Sequence, residues 1–72
     1  MNKKILMNHP LGEIFKNEEK QVKIILRQME AYGFFPIGYG INYEKTLLNH
    51  ARQQGLSREQ ITNMLNAVNR KI

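Results

Sequence analysis

Seventy-two residues suffice for one domain, and a domain this short buries a smaller share of its surface than a longer one, so apolar packing must supply its stability. The absence of cysteine excludes a disulfide framework and a cysteine-bearing zinc site. Eleven Lys and Arg against six Glu leave +5, which favours polyanionic partners, while no apolar run exceeds three residues (Ile5-Leu6-Met7), well short of a signal-peptide core or a membrane span.

The expectation is therefore a cytoplasmic chain with no membrane partner, folded as a single domain over residues 1–72. Its excess charge sits at the ends, +2 over residues 1–16 and +2 over residues 57–72. The opening MNKKILMN has no firm period, so residues 1–8 read as a flexible basic arm or as a short strand awaiting a partner. His9-Pro10 offers a helix start, because proline at a first helical position lacks only an amide that would be unpaired anyway. Leu11, Ile14 and Phe15 then give one short apolar face.

Asn17 followed by Glu18 and Glu19 has the pattern of a cap, with two carboxylates at the positive end of a helix. From there Val22, Ile25, Leu26, Met29 and Tyr32 recur at helical spacing, and Gly33 closes the stripe. Residues 9–33 thus form an amino-terminal helical part, either continuous from Pro10 or broken at Asn17. The next stretch, FFPIGYGI, places two aromatics before a proline and alternates glycines with Ile37, Tyr39 and Ile41. It reads as a short strand over 36–41, as a loop folded on the core, or as a contact patch.

Asn42 is positioned to cap a helix from about Tyr43, with Tyr43, Leu47, Leu48 and Ala51 inward and Gly55 just past its end. Ser57 and Gln60 have the spacing of a capping box, and Ile61, Met64, Leu65, Val68 and Ile72 line the helix that follows, with Arg70 and Lys71 at its negative pole. The fold class expected is mainly α, a small bundle of three to four helices whose carboxy-terminal pair spans residues 43–71.

Ala51, Gly55, Leu56, Ser57, Ile61 and Met64 carry a resemblance: Leu47 to Asn66 resembles the helix-turn-helix module of small bacterial, plasmid and phage regulators. That resemblance implies a small residue late in the first helix, a glycine four places on that makes the turn, and apolar residues locking the pair. The chain departs from the family at His50 and Gln54, where an apolar residue is usual. The Gly55-Leu56-Ser57-Arg58 corner is also similar to that of ribbon-helix-helix repressors, which would make residues 36–41 the DNA-reading strand.

If residues 57–71 are a recognition helix, Arg58, Thr62, Asn63 and Asn66 are the base-reading candidates, since Asn pairs bidentately with adenine and Arg with guanine. Lys3, Lys4, Lys45, Arg52, Ser57 and Arg70 suit phosphates. The partner implied is double-stranded DNA, read by a homodimer whose contacts come from the Val22 to Tyr32 helix or from the aromatic segment. A second function class stands beside it: a helical module that docks on a larger protein through Phe34, Phe35, Ile37 and Tyr39 as an inhibitor, antirepressor or accessory factor. Enzyme chemistry has little support. His9 and His50 lie 41 residues apart with no carboxylate at a metal-ligand spacing, so neither a metal nor a cofactor is expected.

Overall fold

The two longest apolar stripes of the sequence become the two longest helices, which supply six of the thirteen buried core residues among those described. In the computed structural model, which describes residues 4–72, a 3-10 helix Leu11–Lys16 precedes α1 (Glu19–Ala31), α2 (Leu47–Gln53) and α3 (Arg58–Lys71). The molecule is therefore mainly α, and its four helical elements among the described residues match the small bundle expected from the sequence. Ile25 and Met29 of α1 meet Ile61, Met64, Leu65 and Val68 of α3 in one buried cluster, with Leu47, Ala51 and Leu56 of the α2 corner and Ile5, Leu11, Ile14 and Phe34 closing it.

Both α1 and α2 end in the same way. Gly33 (φ 86°) and Gly55 (φ 92°) occupy the left-handed region just beyond the last turn, where a side chain would be strained. The next amide reaches back to the helix in each case, Phe34 N–H to the Met29 carbonyl and Leu56 N–H to the Ala51 carbonyl, both at 3.0 Å. The residue carrying that amide is buried in both, so the apolar contact that accompanies this motif is present twice.

The starts of α1 and α2 differ from what the sequence implies. Asn17 does not cap α1: Glu18 holds the cap position, and Asn17 is buried in the break between the 3-10 helix and α1, its Nδ2 donating to the Ile14 carbonyl at 3.2 Å. Asn42 does not start α2 either. Its side chain accepts the Glu44 amide at 3.0 Å in a local turn, and the helix begins four residues later than expected, capped by Thr46, whose Oγ1 accepts the Asn49 amide. Tyr43 consequently lies outside the helix and packs edge-to-face on Phe15, the ring centroids 5.6 Å apart.

The late start of α2 has a cause outside its own sequence. Residues 7–12 run antiparallel to residues 43–48, and each strip closes the helix that follows the other. Leu47 and Leu48 donate their amides to the carbonyls of His9 (3.0 Å) and Met7 (2.8 Å), while Leu11 and Gly12 donate theirs to Lys45 and Tyr43, both at 2.9 Å. These are amides that a helix start cannot satisfy internally, so reciprocal pairing removes the cost of burying them. Pro10 sits at the midpoint of the strip opposite Thr46, where the bonds come from its neighbours and its missing amide is not needed.

The connection from Phe34 to Thr46 contains no strand among the described residues, so of the alternatives open for 36–41 the loop holds and the possible short strand does not. Two polar side chains of the α2 corner hold it at both ends. Gln54 accepts the Phe35 amide through Oε1 and donates through Nε2 to the Phe35 carbonyl, both at 2.8 Å, and His50 Nε2 donates to the Asn42 carbonyl at 2.7 Å. His50 and Gln54 are the two positions where the chain departs from the apolar pattern of helix-turn-helix regulators. Here they hold the loop. No helix among the described residues is long and apolar enough to cross a membrane.

Candidate nucleic-acid interface

α3 is positioned from below by Ile61, Met64, Leu65 and Val68, all buried, and its polar residues follow from that orientation. Glu59, Asn63, Asn66 and Arg70 recur at i, i+4, i+7 and i+11, a single line directly away from the core, and all four are exposed. Arg58 and Thr62 lie on the flank beside this line and are exposed as well. Among the described residues no element covers them, and all four base-reading candidates are exposed at the surface. Thr62 already donates its hydroxyl to the Arg58 carbonyl at 3.0 Å, which leaves it an acceptor for a base edge.

The flank ends abruptly at Asn69. Its Oδ1 accepts the Ile5 amide at 2.8 Å and its Nδ2 donates to the Ile5 carbonyl at 2.9 Å, so this amide has no free edge for a base. Ile5 beneath it is buried, and residues 5–8 are thus part of the packed body rather than of a free arm. Lys4 is exposed beside them, and Lys3 lies outside the described residues. A shallow groove of about 220 Å³ runs between this segment and α3, lined by Leu6, Met7, Thr62, Leu65, Asn66 and Asn69.

The amino-terminal end of α3 is closed by its own residues. Ser57 Oγ accepts the Gln60 amide at 3.2 Å, and Gln60 Oε1 accepts the Ser57 amide at 2.7 Å, the reciprocal pair that the S-x-x-Q spacing implies. Ser57 therefore offers a phosphate only its hydroxyl proton, since its amide is taken. The amides of Arg58 and Glu59, in the first turn, have no partner within the helix. At α2 the situation is the reverse, because its first amides are consumed by Met7 and His9 and no anion can reach them.

Lys45 and Arg52, two of the expected phosphate contacts, are brought together. With Asn49 and Gln53 they line an open cleft of about 480 Å³ on the outer face of α2, two cations and two amides with no carboxylate among them. Neither they nor Arg58 and Arg70 form an ion pair with any described residue. Arg70 stands apart, on the last turn of α3.

Phe34 cannot be an interface anchor: it is fully buried in the core, whereas Phe35, Ile37 and Tyr39 point outward from the same loop. One charged surface escaped the sequence reading. Lys20, Lys23 and Arg27 fall at i, i+3 and i+7 of α1 and are all exposed, with Ile24 among them. The spacing alone carried that signal, from the polar residues of the helix rather than its apolar ones. No cluster of three metal-ligating side chains occurs among the described residues. Comparison with protein-family models, with curated proteins and with solved structures finds no match to this chain.

Proposed function

We propose that the chain is a sequence-specific DNA-binding regulator, of the kind that controls transcription or plasmid and phage replication, and that it inserts α3 into the major groove. One observation carries this reading. Arg58, Thr62, Asn63 and Asn66 form an uncovered, amide-rich surface on a helix whose opposite side is locked into the core. Such a surface suits base edges, because Asn and Arg present paired hydrogen-bonding groups that match adenine and guanine in the major groove.

Two further features support it. The cleft of Lys45, Asn49, Arg52 and Gln53 lies on the helix preceding the corner, where cations and amides suit a phosphate backbone flanking the groove. The net charge of +5 adds a sequence-independent attraction to any duplex. Glu59 is the one carboxylate on the exposed line of α3, beside the cations Arg58, Arg70 and Lys71 of the same helix.

The test is a titration of a duplex selected from random sequence, alongside an arbitrary duplex. Asn63→Ala and Arg58→Ala are expected to weaken binding to the selected duplex by about 1–3 kcal/mol and to leave the arbitrary duplex nearly unchanged. Lys45→Ala and Arg52→Ala should weaken both alike and flatten the dependence on salt, each by about one counterion. Equal losses on both duplexes for Asn63→Ala would remove α3 from base reading.

A further inference from the structure

Among the described residues eight large apolar side chains are exposed, and several have an evident reason. Phe15 and Tyr43 pack on each other, Leu6 borders the groove beside α3, and Ile24 stands singly among the cations of α1. Phe35, Ile37 and Tyr39 are different. They lie on one loop, at 56%, 57% and 110% exposure, and project from it in alternation with the buried Phe34 and Pro36.

The loop is held in place to present them. Phe34 and Pro36 anchor it from below, Gln54 closes both backbone groups of Phe35, and His50 holds the Asn42 carbonyl at its far end. A loop held at both ends in this way loses less freedom than a free segment would when its side chains are covered. Because the Phe35 N–H and C=O are both engaged, a partner cannot add as a strand there. It must contact the side chains.

We propose that this loop is the surface through which two copies of the chain associate. Charge favours a second copy over a foreign partner. Residues 31–43 form thirteen consecutive positions without Asp, Glu, Lys, Arg or His, in a chain that carries +5. Two identical cationic chains repel wherever their charged faces meet, and this uncharged span lets them approach without opposing like charges. A foreign partner of a +5 chain would gain by pairing with its cations, and the loop offers none. A two-fold contact also needs only one patch, facing itself. The aromatic and aliphatic residues of the loop are the types that dominate interface cores. This goes beyond the DNA reading and does not depend on it, although a dimer would let that helix read a palindrome.

Sedimentation equilibrium of the full chain without DNA tests the proposal, using wild type, Tyr39→Asp and Ile37→Asp. Both sites are exposed, and unchanged circular dichroism with a cooperative melt at dilute, dissociated concentration would show that the variants fold. Wild type is expected to dimerise reversibly, more tightly as salt screens its repulsion, and each variant to associate at least about 30-fold more weakly. Wild type that stays monomeric at every soluble concentration overturns the proposal and leaves the loop to another partner. So does a dimer that both substitutions leave intact. Duplex binding by a monomeric chain would preserve the DNA reading while this one fails, and a DNA-blind dimer would do the reverse.

Discussion

The chain leaves α1 and α2 by the same route and then does two different things. After Gly33 and the buried Phe34 comes Phe35, and after Gly55 and the buried Leu56 comes Ser57. In both places the amide of that next residue is accepted by a glutamine Oε1, Gln54 for Phe35 at 2.8 Å and Gln60 for Ser57 at 2.7 Å. The glutamine that serves Ser57 is three residues away and belongs to the helix it starts, so a serine in that position launches α3. The one that serves Phe35 is nineteen residues away, and no helix follows. Helix ends alone do not decide what comes next; the residue beyond the buried apolar one does, through where its amide is satisfied.

Substitutions sharpen this comparison, starting with the buried residues. Phe34→Ala should cost about 3–5 kcal/mol in urea denaturation, and Leu56→Ala about 2–4, since both fill the core behind a glycine turn. A larger loss at Leu56 than at Phe34 would mean the corner, not the loop, closes the core. Gly33→Ala and Gly55→Ala come next. An added Cβ meets nothing within 4 Å at either site, so both should lose the same backbone term of about 1–2 kcal/mol, read as equal shifts in denaturation midpoint.

The smallest effects separate the two glutamine bonds. Ser57→Ala removes the cap and should cost about 1 kcal/mol, with amide exchange quickened over the first turn of α3. Gln54→Ala should also cost about 1 kcal/mol, yet its faster exchange should appear at Phe35 and leave α3 protected. If Gln54→Ala frayed α3 instead, the corner and the loop would be one cooperative unit.

The same contrast explains what was legible in the sequence. α1, α3, both glycine ends and the capping box depend on residues three to five apart, and the local pattern carries them. The start of α2 was not legible, because Asn42 before Tyr43 looks as competent a cap as Thr46 before Leu47. The carbonyls of His9 and Met7 decide between them. The aromatic segment is unreadable for the same reason: Phe34 and Phe35 are adjacent and chemically alike, and only Gln54 and the core beneath determine which one is buried. At the candidate site, the exposure of Arg58, Asn63 and Asn66 follows from helical spacing alone. Asn69 shares that spacing, and its capture by Ile5, 64 positions away, is visible only in three dimensions.

An NMR titration of the labelled chain with its selected duplex examines, residue by residue, the proposed contact between the outer face of α3 and DNA. The largest amide and side-chain shifts are expected on Arg58, Thr62, Asn63 and Asn66, with a second group at Lys45, Asn49 and Arg52. Shifts centred instead on Lys20, Lys23 and Arg27 of α1, with α3 unmoved, would contradict it.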